Sequence, residues 1–599
     1  MTRRRLVRGL LFWAAGTLFL ATFAHCRTRI DAAAPPSDEL GAWALAALDA
    51  ARLDSPVPDA PERYDAAGPI VVTAWTAGVP VAFHRGGPSL TEAIEEASAA
   101  FLANPRLTED EAWGERGNER FRFTVEVTTG AGPLPPQWPF LELFSLVPMR
   151  DGLHAKLGDQ ESILTPQEII STGHYEGGIP TPVPELSPGV RTAPMLGRLA
   201  RDLGVDRETL LADGEVQRLR MHLIAESDYP RTVEVTEDNL RQASVEGAEF
   251  LLRHQKTNGQ WTYVYNGATG APRHEAYNIP RHSGTTYFIA QVDRYHGLPA
   301  ARAGAIRALR WIDRTSIRSC GEHPCVEQYG RADVGSAALT VVAAAEVLAK
   351  APDATAQRLV EGLTGFLRSL QREDGELMHE YDVRAQEPID VQHMYYSGEA
   401  AFALLKAHEV LGDEANLEAA RRLMGHLTGA GWNFLGSRYY YGEEHWTCIA
   451  AGEARERIES PEGLDFCQRW FGFNDALQYR EGQTHWEVAG SYGVGPLIMP
   501  RLTPVGSRTE AFVSTYQLVK HHGQPTDEIR ALVERGLGML LRWRWAPGPT
   551  HLLADPMGAH GGMPGSPVDL NARNDFVQHA GSAWIRWADV LRQEREAEE

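Results

Sequence analysis

The chain has 599 residues and a formal net charge of −21, with 43% apolar and 23% charged residues. That apolar content excludes disorder over most of the length, and a chain beyond roughly 250–300 residues implies more than one domain. The acidic excess excludes a nucleic-acid partner, which needs a basic surface to release counterions.

Arg3, Arg4, Arg5 and Arg8 precede an uncharged run from Gly9 to Ala24. A positive flank before an apolar stretch is the pattern of a signal peptide or N-terminal membrane anchor. Residues 1–26 are therefore expected to carry the chain into the cell envelope. It would be held at the inner membrane through this segment, or be periplasmic or secreted. The run is slightly shorter than the roughly 17–25 residues of a span. Thr2-Arg-Arg-Arg-Leu-Val resembles a twin-arginine export signal, while His25 is a poor match to the small residue that precedes a lipidated cysteine. The four cysteines beyond Cys26 fall as local pairs, Cys320 with Cys325 and Cys448 with Cys467. Of the three possible pairings the local one closes short loops and suits an oxidising compartment; four unpaired, buried thiols are the alternative.

Residues 27–65, rich in Ala, Pro and Asp, predict a linker or loose helix. Residues 66–175 predict a small α/β domain. Ile70–Trp75 and Pro80–Phe83 form a strand pair around Gly78, and Ser89-Leu-Thr-Glu92 is a capping-box start. Leu90, Ile94, Ala97 and Phe101 share one helix face. Phe121, Phe123, Val125 and Val127 alternate with polar residues as in a half-buried strand, and strand-like runs follow at Phe140–Val147 and Leu153–Leu157. These elements, with the helix AIEEASAAFLANPRL and the strand RFTVEV, resemble the AMMECR-type α/β domain over roughly 70–172. That resemblance implies little about activity and lacks the family's cysteine-bearing segment. Pro180, Pro182, Pro184 and Pro188 then mark 176–195 as a stiff linker.

Residues 196–599 predict an α/α toroid of about six helical hairpins, making the protein mainly α. Ala-rich helices open at His282-Ser-Gly, Val334-Gly-Ser, Tyr396-Ser-Gly, His445-Trp-Thr, Arg508-Thr-Glu and His579-Ala-Gly. Intervals of roughly 50 to 70 residues suit a hairpin plus a loop. Outer helices are expected near 237–255, 298–313, 355–371, 414–428 and 525–543, with another poorly marked within 452–472. Gln255-Lys-Thr-Asn-Gly259-Gln-Trp261 and Gln371-Arg-Glu-Asp-Gly375-Glu-Leu377 share a helix-ending turn in which Gly permits the reversal. These turns resemble the Gln–Trp repeats of the squalene-cyclase and prenyltransferase superfamily, and those of six-hairpin glycan enzymes. The resemblance implies the fold and leaves the reaction open.

In a closed ring the inner-helix openings converge on one funnel. Neither Asp-x-Asp-Asp nor Asp-Asp-x-x-Asp occurs, which disfavours terpene cyclisation. The funnel's polar and aromatic residues suit a polysaccharide or other envelope glycan instead. A glycosidase needs two carboxyls across the bond, for which Glu444 and Asp575 are candidates. A lyase or epimerase needs a base, an acid and a carboxylate-binding group: His282 and Tyr396 for the first two, Asn278 and Arg281 for the third, a grouping similar to that of toroidal uronate lyases. His445 and His579 complete the catalytic candidates. Asp333, Tyr395, Glu399, Trp446 and Arg508 are candidates for binding.

Each has a plainer explanation. Ser283, Ser397 and Asp575 suit helix caps, Trp446 and Tyr439–Tyr441 suit packing, and Glu399 suits a surface ion pair. His445-Trp-Thr-Cys448, with His282, His393 and His579 near one axis, resembles the zinc site of lanthionine cyclases, although their paired cysteine ligands are missing. No metal or cofactor is therefore expected. A non-catalytic toroid serving as an envelope scaffold is the competing reading; it requires a filled centre rather than a concave, water-accessible one.

Overall fold

The computed structural model describes residues 29–116, 120–135, 137, 142–177, 189–429, 445–483, 485–492, 499–546 and 548–599. Residues 1–26, expected as an export segment, the four-proline stretch, Tyr439–Tyr441 and Glu444 lie outside the described residues. Among those described, no helix is long and apolar enough to cross a membrane.

The N-terminal unit is a six-stranded antiparallel sheet of β1 (Ile70–Thr76), β2 (Val79–Gly86), β3 (Phe121–Pro133), β4 (Asp151–Leu157), β5 (Gln160–Leu164) and β6 (Glu215–Ala225), ordered β2-β1-β3-β6-β4-β5. The sheet curls until Arg85 of β2 pairs with Glu161 of β5, at opposite edges. Helices α1 (Asp38–Arg52) and α2 (Leu90–Leu102) cover one face, burying Leu40, Trp43, Ile94 and Phe101 against Ile70, Val72 and Val125. Two expected boundaries change. Residues 38–52, expected as linker or loose helix, pack as a helix of the domain, because Leu40, Ala44, Ala47 and Leu48 make one apolar stripe. The domain also reaches past 175 to 225, since β6 lies between β3 and β4 at the middle of the sheet.

Among the described residues, twelve helices of nine residues or more follow. The inner ones are α4 (Ile279–His296), α6 (Val334–Lys350), α8 (Tyr396–Leu411), α10 (Trp446–Ala454), α12 (Leu502–His521) and α14 (Asn574–Glu598). Each packs on the next, and α14 packs back on α4, closing the ring. The outer ones are α3 (Glu237–Arg253), α5 (Pro299–Thr315), α7 (Ala354–Ser369), α9 (Glu414–Thr428), α11 (Pro461–Asp475) and α13 (Asp527–Trp543). Inner helices are buried nearly all round, as Ala-rich sequence allows, and outer ones bury a single face.

The Gln-containing turns fasten neighbouring hairpins. Gln255 Nε2 donates to the carbonyls of Gly259 (3.2 Å) and Gly304 (3.0 Å). Gln371 Nε2 does the same to Gly375 and Ala419, both at 3.0 Å. Gly375 has φ +89°, and a Cβ there would collide with the carbonyl of Arg422. A third such fastening, Gln478 Nε2 to Gly490 and Leu532, starts the string Gln478-Tyr-Arg-Glu-Gly482, which has Glu where the other two turns have Asn or Asp.

Beneath the funnel the toroid axis is filled with charge. Lys406 Nζ lies 3.0 Å from Glu346 Oε1 and also pairs with Glu409. Arg294 bonds Glu346 and Glu409 at 3.0 Å each. The two units dock through a bidentate Arg150–Glu487 pair, 2.8 Å at both contacts, and through His551 Nε2 donating to Gln167 at 2.9 Å.

Two disulfides are present, Cys320–Cys325 in a β-hairpin and Cys448–Cys467 joining α10 to α11. Cys448 is thus committed to sulfur and does not serve as the metal ligand considered above.

Candidate active site

The starts of the inner helices surround a cavity of about 580 Å³. Asn278, Arg281, Tyr395, Tyr396 and Glu399 line one side, and His445, Trp446, Asp575 and His579 another. Asn278 caps α4 by accepting from the Arg281 N–H at 3.0 Å, which turns the Arg281 side chain inward. Gly335 lets Tyr396 and Glu399 approach α6, for a Cβ there would collide with both.

His579 is the best-supported group in the wall. Its Nδ1 lies 3.2 Å from Oε2 of the fully buried Glu510, and Arg586 lies 3.6 Å from the other carboxylate oxygen. A carboxylate only accepts, so this contact calls for a proton on Nδ1, while Gln578 Nε2 lies 3.3 Å from the same nitrogen. Arg586 is fixed in turn by the Tyr287 hydroxyl (2.7 Å) and Ser514 (3.1 Å). The His445 ring stands edge-on to that of His579, with centroids 5.2 Å apart.

Asp575 is held between guanidiniums. Arg573 Nε and Nη2 donate to its two oxygens at 2.6 and 2.9 Å, and Arg281 Nε lies 3.1 Å from Oδ2. Burial alone would raise its pKa, but Arg573 and Arg281 outweigh burial and hold the carboxyl below its usual value. Tyr396 is pushed the other way, by burial and then by Asp333 and Glu399, so its phenol keeps its proton.

Three candidates fall elsewhere. His282 is fully buried between α4 and α5: its Nδ1 meets the Tyr277 hydroxyl at 2.6 Å, its Nε2 donates to the Ala308 carbonyl at 3.1 Å, and its ring lies on Trp311. It packs hairpins and does not face the cavity. Asp333 caps α6 through the Ser336 N–H at 2.7 Å, behind Tyr396 and outside the cavity lining. Arg508 lies two turns inside α12 with its guanidinium 4.7 Å from the Tyr492 ring centroid, and Arg501 just before the helix lines the cavity in its stead. Glu444 lies outside the described residues. Arg501 and Arg573, which line the cavity, and Glu510, which bonds His579, were not singled out by the sequence reading. Pro504 in the first turn of α12 signals that helix start, and Glu510 is the last residue of the Arg508-Thr-Glu string itself.

His282 gives a stability prediction. Burial pushes its pKa down to about 3 from about 6.5, so the folded state refuses a proton that the unfolded chain accepts. Its contribution is fully present above about pH 6.5 and is lost at about 1.4 kcal/mol per pH unit below that. His282→Gln should destabilise the protein by about 1–3 kcal/mol at pH 7.5, from the unpaired Tyr277 and Ala308 groups. Thermal melts should show the gap between wild type and variant closing by pH 5; a constant gap would contradict a neutral buried imidazole.

No family model and no curated protein matches the sequence. Among solved structures the chain is similar to a sugar epimerase from a ruminal bacterium, with 11% identity over 59% of this chain and 98% of that one, and a TM-score of 0.45. It is similar to cellobiose 2-epimerase from Bacillus thermoamylovorans, with 10% identity over 59% and 99% and a TM-score of 0.46. It is also similar to a family 76 glycoside hydrolase from a bovine Bacteroides thetaiotaomicron strain, with 9% identity over 79% and 96% and a TM-score of 0.42. Likenesses this slight carry no functional argument, and the toroid stands on its own closed ring of helices.

Proposed function

We propose that this protein is a carbohydrate-active enzyme that takes a proton from a sugar carbon, with His579 as the base. The observation that carries the reading is the Glu510–His579 pair in the wall of an open, aromatic-lined cavity, with a second histidine facing it. His579 Nε2 removes the proton beside a sugar carbonyl or uronate carboxylate. The C–H electron pair becomes an enediolate whose oxygen charge is met by Arg281 or Arg501. Returning a proton to the opposite face, from His445, inverts the carbon. Expelling the glycosidic oxygen from the next carbon instead, with His445 giving that oxygen the proton, leaves an unsaturated sugar.

Hydrolysis fits less well. It needs a protonated carboxyl as acid, and Asp575 is kept ionised and doubly bonded by arginines. We further propose that the protein acts outside the cytoplasm on a polysaccharide or other envelope glycan, exported or tethered through residues 1–26; two disulfides suit an oxidising compartment.

The test is a panel of reducing sugars and uronate polysaccharides incubated with purified protein. New epimers by ion chromatography, or absorbance of unsaturated uronate, are expected. New reducing ends without either product would establish a hydrolase, and no turnover with saturable glycan binding would establish a receptor.

A further inference from the structure

We infer that Glu176, in the α/β domain, is a positioning residue for the toroid's funnel, holding Arg501 and the segment that carries Arg573 and Asp575. The inference rests on the sugar-site reading for its kinetic consequence and on geometry for the rest.

Glu176 is rooted in its own domain. The neighbouring Tyr175 is buried, and its hydroxyl donates to the Asp151 carbonyl of β4 at 2.7 Å, while the His174 carbonyl accepts from the Arg191 N–H at 2.8 Å. From that base its carboxylate crosses into the toroid. Oε2 accepts from Arg501 Nη1 at 2.7 Å, and Oε1 accepts from the Ser566 hydroxyl. Arg501 lines the cavity, and its Nη2 lies 3.0 Å from Asp569. These contacts join two strands of one wall. The Leu502 N–H donates to Gly565, the Gly565 N–H donates to Asn571, and Asn571 bonds the Asp569 carboxylate at 2.6 Å. Two residues further on lies Arg573, which grips Asp575. One carboxylate thus sets both the approach to α12 and the approach to α14.

A charge-assisted bond to an arginine that is largely shielded from water fixes the guanidinium plane as well as its place. Docking alone does not require this arrangement, because the Arg150–Glu487 pair already fastens the two units at a contact whose residues line a different cavity. The α/β domain therefore supports the substrate-binding wall from behind, through Glu176, in addition to any role of its own.

The test uses the full chain with Glu176→Gln, Glu176→Asp and, as a docking control, Arg150→Gln. Labelling by p-hydroxyphenylglyoxal, mapped by peptide mass spectrometry, reads how tightly Arg501 is held. Glu176→Gln should speed labelling at Arg501 by at least about fivefold, while Arg150→Gln leaves it at the wild-type rate; this is the signature of a lost charge-assisted bond. On a sugar that wild type turns over, Glu176→Gln should raise KM about tenfold with kcat within about twofold, and Glu176→Asp should recover part of it. Equal labelling in all variants would overturn the inference, as would the same KM change in Arg150→Gln. If no sugar is turned over, the sugar-site reading fails, and the labelling arm still decides the role of Glu176.

Discussion

His579→Gln is expected to lower turnover by about 10²–10⁴-fold, the usual loss on removing a general base, with an unchanged circular dichroism spectrum and melting temperature. The His579 imidazole bonds to Glu510 and Gln578, both buried, and a glutamine amide at this position can still donate to the Glu510 carboxylate. Glu510→Gln should cost less, about 10²-fold, because an amide can still meet Nδ1 but no longer demands that this nitrogen carry the proton. The double variant should be no slower than His579→Gln alone, since the two side chains act as one unit. Additive losses in the double variant would show that Glu510 works by another route.

Lys406→Met should produce the largest loss of stability. Lys406 is almost completely buried and pairs with Glu346, Glu409 and, at 4.0 Å, Glu453. Burial pulls its pKa down, and the three carboxylates more than reverse that. Without the ammonium, Arg294 is left to meet Glu346 and Glu409, and Glu346 is buried, with almost no surface through which water can compensate. Breaking one side of a buried ionic group costs about 3–5 kcal/mol, which denaturant unfolding should read as a lower midpoint with an unchanged slope. Lys406→Met combined with Glu346→Leu should recover part of the loss, because an apolar replacement of the pair leaves fewer stranded charges. A midpoint within experimental error of wild type would mean that the axial network is solvated.

The ring of hairpins was legible because its signals are local. Ala-rich helices, Pro in first turns and the Gln255 and Gln371 turns each declare a hairpin within a short window. The weakest expected outer helix, somewhere within 452–472, begins at Pro461 behind a Ser460 cap and runs on to Asp475. In the α/β domain β6 escaped notice although Arg218, Arg220 and His222 alternate with Leu219, Met221 and Leu223. A strand so far along the chain from its partners carries no sign of which sheet it joins.

The site was legible by residue type and illegible by direction. A helix opening fixes where a side chain starts, and its phase around the helix fixes where it points. His282 and His579 both stand beside small residues at an opening, yet one turns outward onto Trp311 and the other lines the cavity. Glu510 and Arg501 serve residues far away in sequence, and only tertiary structure reveals that service.

Carbon-bound hydrogen is the place to test the central claim. Proton NMR of a sugar incubated with the enzyme in D₂O reads whether a C–H bond has been opened. The account predicts that solvent deuterium enters one position under wild type and stays out under His579→Gln. Cleavage of glycosidic bonds with every C–H intact, or equal labelling by the variant, would contradict it.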